Sequence, residues 1–169
     1  GQETSAVLAD REDLPSTSYA ALDSGWKYMF DKYNGVYRWV PLCGDHAGLY
    51  ARVDRDRDPW YSAGGTNRGL IKNVVKLAWS PDQTNRDALY VKGVNPVTDL
   101  PGFGPTMFGD KTLLNSTSAF SRINVRRLFI VLEKTIATAA RELLFEFNDE
   151  FTQNRFIAIV EPFLRDVQG

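Results

Sequence analysis

A few strings in this sequence combine residue types able to do chemistry, and their spacing decides what they are worth. Asp54, Asp56 and Asp58 alternate as the opening acids of a calcium loop do, where carboxylates on every second residue converge on a hard cation. The sixth position of such a loop requires glycine for its sharp turn and is Pro59, and the twelfth requires a bidentate glutamate and is Gly65. With Arg55 and Arg57 interleaved, these acids read as a solvated helix end. Gly102-Phe103-Gly104 begins like a dinucleotide loop, but the third glycine is replaced by Met107 and no helix opens directly behind it. Gly104 and Gly109-Asp110-Lys111-Thr112 approach a phosphate-binding loop, except that Asp110 separates the glycine from the lysine and sets a repelling carboxylate where amides should cradle phosphate. His46 lies beside Asp45 and three residues after Cys43, yet neighbours on one segment do not converge as a nucleophile and its base. Asn115-Ser116-Thr117 is a glycosylation sequon, without meaning unless the chain is secreted. No catalytic, cofactor-binding or metal constellation survives.

The elements that carry these residues are short at first and long at the end. Residues 1–17 are small, polar and charged and read as a linker or arm. Trp26, Tyr28 and Phe30 alternate with Lys27, Met29 and Asp31, the two-residue period of a half-buried strand with its aromatics turned inward. Asn34-Gly35 predicts a two-residue type I′ turn, which sets Tyr33 opposite Val36, Asp31 opposite Arg38 and Phe30 opposite Trp39. Gly44-Asp45 predicts a short helix through Asp54 with Asp45 as its N-cap, and residues 58–69 are loop chemistry. Val74–Trp79 is a short apolar segment, and Leu89–Val94 reads as a strand closed by Asn95-Pro96. A glycine- and proline-rich loop then leads to Thr106–Phe108. Val125, Leu128, Phe129, Leu132, Ile136, Ala140 and Leu143 form one helical stripe and must face a core. Phe151, Phe156, Val160, Phe163, Leu164 and Val167 form a second, with Asp149 near its N-terminus, where a negative charge suits the helix dipole. The order predicts an α+β fold: a small mixed β-sheet with a β-hairpin, covered by two longer C-terminal helices.

Composition narrows the role. The 20 Lys and Arg against 21 Asp and Glu exclude a generally basic nucleic-acid binder. A hydrophobic content of 43% is too high for a disordered chain, yet no apolar run approaches the roughly 18 residues of a membrane span. Nothing near Gly1 has the layout of a signal peptide, and a single cysteine, Cys43, makes a reducing compartment the expectation.

The strings say more in succession than singly. DKYNGVYRWVPLCGDHAGLYAR (31–52), DPWYSAGGTNRG (58–69), DALYVKGVNPV (87–97), FGDKTL (108–113), INVRRLFIVLEKTI (123–136) and LLFEFNDEF (143–151) follow one another in order. From about Leu14 to Gly169 this succession resembles the tail sheath proteins of contractile-tailed, T4-like bacteriophages. SAGG after Trp60 and Cys43 depart from the wording common among relatives. The resemblance covers the family's core and C-terminal region. It implies that the N-terminal half, the exposed insertion domains and the last strands of a complete subunit lie outside these residues. It further implies that 18–105 is the end portion of the central sheath domain and 106–169 the start of the C-terminal, inner, tube-facing domain.

What the resemblance implies for function is mechanical. Such subunits polymerise as stacked six-fold rings around a tail tube and contract to drive the tube through the host envelope. Their partners are neighbouring sheath subunits, joined by β-augmentation through terminal arms, together with the tail tube protein, the baseplate and the tail terminator. No cofactor, nucleic acid or membrane is implied. The location is the virion, with assembly in the host cytoplasm. Within Arg122–Arg141, Arg122, Arg126, Arg127, Lys134 and Arg141 stand against Glu133 alone. Because the family's inner domain faces a tube with an acidic surface, Arg122, Arg126, Arg127 and Lys134 are expected to face the tube, against the plain alternative of a solvated helix back. Other readings stay open: a bacteriocin or type VI secretion sheath, a small nucleotide-binding enzyme domain using 102–112, or a monomeric binding module.

Overall fold

Turn and cap residues cut the chain into short elements, which the computed structural model describes over residues 3–168. They run α1 (Thr4–Glu12), β1 (Leu22–Ser24), β2 (Trp26–Asp31), β3 (Val36–Pro41), α2 (Cys43–Asp56), β4 (Lys76–Leu77), α3 (Gln83–Val91), β5 (Val94–Leu100), β6 (Gly104–Met107), a 3-10 turn at Ala119–Ser121, α4 (Ile123–Arg141) and α5 (Glu150–Gln168). Two compact units divide the chain, Gly1–Arg127 and Leu128–Gly169. The fold is α+β, as expected. One three-stranded sheet is mixed, with order β1-β5-β6, β5 parallel to β1 and antiparallel to β6; the other is antiparallel with order β3-β2-β4.

The first unit has a hydrophobic core in two parts. Leu42, at the head of α2, and Leu49 and Val53 from α2 meet Ala63, Ile71, Val97 and Met107. Val7 of α1 meets Leu89 of α3 and Val94 of β5. Residues 1–17, expected to be a linker or arm, therefore hold a helix whose Val7 and Arg11 are buried. In the second unit α4 and α5 follow their expected stripes, but no residue described from Leu128 onward is buried. Asp149 stands where it was expected, before α5, accepting from the Thr152 amide at 2.8 Å, and that bond holds its carboxyl below the usual range.

Several local expectations are corrected. The hairpin exists, but its register is shifted by two residues: Asp31 faces Val36, Phe30 faces Tyr37 and Tyr28 faces Trp39. The Asp31 carboxylate is the reason. It accepts from the Tyr33 amide at 3.0 Å and the Asn34 side chain at 2.8 Å, while the Gly35 amide donates to the Asp31 carbonyl at 2.9 Å. This closes a four-residue loop, 32–35, in which Gly35 alone takes the left-handed conformation, at φ 66°. Asp31 still reaches Arg38, diagonally, at 3.0 Å.

A shift of two keeps every side chain on its face, but the faces are the reverse of those expected. Lys27 is 4% exposed while Trp26 and Phe30 are each 39% exposed. Lys27 turns inward because Asp45 meets its ammonium at 2.7 Å and the Lys72 carbonyl accepts from it at 3.2 Å. Asp45 is therefore not an N-cap: α2 begins earlier, at Cys43, and makes no side-chain cap bond.

Leu89–Val91 is helix rather than strand. Asp82 caps α3 by accepting from the Asn85 amide at 2.9 Å, and Gly93 at φ 77° ends it. Asn95-Pro96 does not close a strand but runs through β5, the central strand of its sheet. The fully buried Asn95 side chain accepts from the Lys111 amide at 2.7 Å and donates to the Lys111 carbonyl at 2.9 Å, supplying a ladder step from a side chain.

Candidate assembly surfaces

The start of α4 is positioned by its predecessor. Ser118 and Ser121 form a reciprocal capping box on the 3-10 turn, and the Ile123 amide then donates to the Asp110 carbonyl at 3.2 Å. Arg122 emerges exposed at this junction. The Arg126 guanidinium stacks over Phe120 at 4.0 Å and Tyr19 at 4.3 Å and donates to the Tyr19 hydroxyl at 3.3 Å. Arg127 pairs with Asp54 and lies over the Tyr50 ring at 5.1 Å. Lys134 lies further along α4, in the second unit, and is exposed. The four residues expected to face the tube thus occupy different settings: Arg122 and Lys134 are open, while Arg126 and Arg127 are half-buried and hold other residues of this chain.

The first unit holds buried polar groups. His46, 1% exposed, has Nδ1 2.7 Å from an Asp23 carboxylate oxygen. Burial, then the charges of Asp23 and Asp110, push the Tyr50 hydroxyl far above its ordinary range. Burial likewise raises Asp110, against a hydrogen bond from Ser62 and the positive charges of Arg122 and Arg127. These arginines therefore offset a buried negative charge as well as carrying charge at the surface. Among the described residues no cluster of three or more His, Cys, Asp and Glu is placed to hold a metal, and no helix is long and apolar enough to cross a membrane. The 102–112 stretch opens no helix: Gly104–Met107 is a strand and Asp110 is buried, so the geometry of a phosphate loop is lacking.

Two surfaces were missed by sequence reasoning. On the hairpin, Tyr28 stacks on Tyr37 at 5.6 Å and packs against Trp39 at 5.2 Å, Phe30 meets Tyr37 at 5.0 Å, and the Lys76 ammonium caps Tyr28 at 5.4 Å. This is an aromatic face turned outward, whose signal in the sequence was Lys27, a cation at a position that a solvent-facing reading explained equally well. The other surface is a pair of adjoining clefts of about 530 and 420 Å³ that share Tyr90 and Arg122 as lining residues. They gather Arg86, Lys92, Lys111 and Arg122, residues 36 positions apart at the extremes, from three separate segments. No local pattern connects them.

Comparison with known proteins bears on what such surfaces serve. No protein-family model matches the chain. It is 50% identical over 153 residues to the tail sheath protein of Vibrio phage KVP40, a stretch covering 90% of this chain and 23% of that protein. It is also 50% identical over 141 residues to the tail sheath protein of Enterobacteria phage T4, covering 83% of this chain and 21% of that protein. The chain therefore spans about a quarter of the length of these relatives. In fold it is similar to the sheath of an extracellular contractile injection system in its contracted state. The TM-score there is 0.84 at 22% identity, over 99% of this chain and 46% of that one.

Proposed function

We propose that this chain, homologous over nearly all of its length to phage tail sheath proteins, is part of a contractile tail sheath subunit that stacks in rings around a tail tube and shortens to drive the tube through a host envelope. The observation that carries the reading is the 50% identity over 153 residues. Two structural features support it. Large aromatic and aliphatic side chains stand exposed on the hairpin and along α4 and α5, which a protein working alone rarely tolerates at this density. The residues with chemical potential, His46 and Asp110 among them, are buried in supporting roles rather than gathered at an open site. The role is structural, without catalysis or cofactor. Residues 18–105 belong to the end of the central sheath domain and 106–169 begin the inner domain, although β6 carries the chain across that junction without a break.

The partners in this reading are neighbouring subunits, linked by terminal arms that add strands to open sheet edges, and the tube, baseplate and terminator. The setting is the virion tail, after assembly in the host cytoplasm. Toward the tube, Arg122 and Lys134 are the exposed members of the basic set, and Arg126 and Arg127 contribute through the surface they shape. Exposed pairs of about 0.2–1 kcal/mol each set register without fixing sheath to tube. Electron microscopy of the full-length subunit, alone and with purified tubes, tests the reading: ordered tubular polymers are expected, and a full-length protein that stays monomeric under all assembly conditions would overturn it. An Arg122→Glu, Lys134→Glu subunit should assemble poorly on tubes, and raised salt should weaken wild-type assembly in the same direction; unchanged assembly removes these residues from the tube contact.

A further inference from the structure

The adjoining clefts of the first unit gather cations that the chain itself answers only in part, the charge of Arg122 acting on the buried Asp110. Arg86, Lys92, Lys111 and Arg122 line them, and among the described residues none of the four forms an ion pair. Asp87 and Glu12 also line the clefts, and Asp110 lies at the floor of the smaller one, so the balance is positive but not uniform. The walls are held firmly. Arg11, 4% exposed, donates to the carbonyls of Lys92 at 3.0 Å and Leu113 at 2.8 Å, and Asn95 fixes both backbone groups of Lys111. Aromatic surface stands between the charges: Lys111 caps Tyr90 at 4.7 Å and Arg86 caps Phe108 at 5.3 Å. The result is a rigid basic groove with aromatic walls and no occupant from its own unit.

The second unit carries a segment of the complementary kind. From the end of α4 into the first turn of α5, residues 142–151 read ELLFEFNDEF: Glu142, Glu146, Asp149 and Glu150 with no lysine or arginine among them. Its large side chains point outward, with Leu144 62%, Phe147 85% and Phe151 77% exposed and Phe145 wholly so. Phe145 takes φ 72°, a conformation that bulky residues rarely adopt. Glu142 pairs with Arg155 at 4.0 Å; Glu146, Asp149 and Glu150, interleaved with phenyl rings, match cations interleaved with aromatic walls in both charge and chemistry.

From this match we infer that the 142–151 turn of one copy docks in the Arg86–Lys92–Lys111–Arg122 groove of a second copy of this chain. The inference rests on the sheath reading only for the prediction that the contact supports a polymer; the match of surfaces stands apart from it. A contact between rigid charged faces of this sort is read as a rate and salt effect as much as an affinity. It also discriminates against wrong registers, because groove on groove or turn on turn sets like charges together.

The test is a charge exchange in the full-length subunit. Lys92→Glu with Lys111→Glu reverses two of the four groove cations without touching the basic set expected to face the tube, and Glu146→Lys with Glu150→Lys reverses two of the four carboxylates of the turn. Each pair alone should raise the concentration needed for polymerisation by about tenfold or more, and the two combined should recover most of the loss. Wild-type behaviour of either reversal, with circular dichroism unchanged, would overturn the contact. So would an impaired groove variant that the reversed turn does not rescue, since another acidic segment then fills the groove. A second measurement does not depend on polymerisation: in a Cys43→Ser background, copies carrying Lys92→Cys are mixed with differently tagged copies carrying Phe147→Cys and oxidised. Mixed dimers are expected; their absence would sink the inference. If wild type forms no tubes but the mixed dimers appear, the sheath reading fails and the contact stands.

Discussion

The two units of this chain use the same kinds of residue in opposite ways. In Gly1–Arg127, apolar side chains close over one another and even cations are buried, each held by named partners: Lys27 by Asp45, and Arg11 by four acceptors. In Leu128–Gly169 the helices are longer and their apolar stripes more regular, yet no described residue is buried. Regular amphipathicity thus marks the part least complete in itself, and irregular segments studded with polar residues mark the part that closes its own core. Periodicity reports the need for a partner; it does not say that the partner lies in the same stretch of chain.

The largest expected effect follows directly. In the isolated subunit, amides of α5 should exchange with solvent on the order of a hundred times faster than those of β5, and limited proteolysis should begin beyond Leu128. Equal protection in hydrogen-exchange mass spectrometry would break the comparison. Next in size is a pair of arginine truncations. Arg11→Ala strands buried carbonyls and should cost about 3 kcal/mol in urea unfolding. Arg165→Ala removes only an exposed helical pair with Glu161 and should change stability by less than about 0.5 kcal/mol.

A third test adds atoms instead of removing them. A Cβ on Gly109 would lie 2.6 Å from the Asn95 side-chain oxygen and 2.8 Å from its Cα, so Gly109→Ala should cost about 2 kcal/mol. Ala158→Leu on exposed α5 adds more volume and should shift stability by less than about 0.5 kcal/mol. The smallest effect is electrostatic. Asp110 holds its proton more tightly when folded, so the stability linked to it is present at low pH and is lost as pH rises from the ordinary carboxylate range through the raised folded value. Asp149 behaves oppositely, its contribution being lost as pH falls through its lowered value. Asp110→Asn should flatten the first dependence and leave the second, as followed by unfolding at a series of pH values with carboxyl resonances assigned.

Much of this was legible in the sequence where one local rule acted alone. The α4 and α5 stripes, the acidic Asp149 near the start of α5 and the hairpin's existence all come from spacing within a few residues. Legibility failed where two rules competed. Asn34-Gly35 predicts a two-residue turn, but Asp31, three residues upstream of Asn34, captures the loop amides and lengthens it. Leu89-Tyr90-Val91 has strand composition, but the Asp82 cap and the Gly93 stop bracket it as helix. The groove and the buried Arg11 were beyond reach for a different reason: their members are far apart in sequence, joined only by the folded sheet. The expected basic set on α4 was visible as charge, but not the rings of Tyr19, Phe120 and Tyr50 that engage two of its members.

The reversed hairpin has an optical consequence. Trp26 and Trp39, 39% and 43% exposed, sit on an outward face where any covering layer excludes water from their indoles. Whatever surface comes to rest on that face should move their fluorescence toward the blue and shield them from dissolved quenchers, without a label and without altering the chain. Replacing either tryptophan with phenylalanine would assign the signal to one edge of the hairpin or the other. An inward lysine thus leaves the molecule with a built-in reporter of its own concealment.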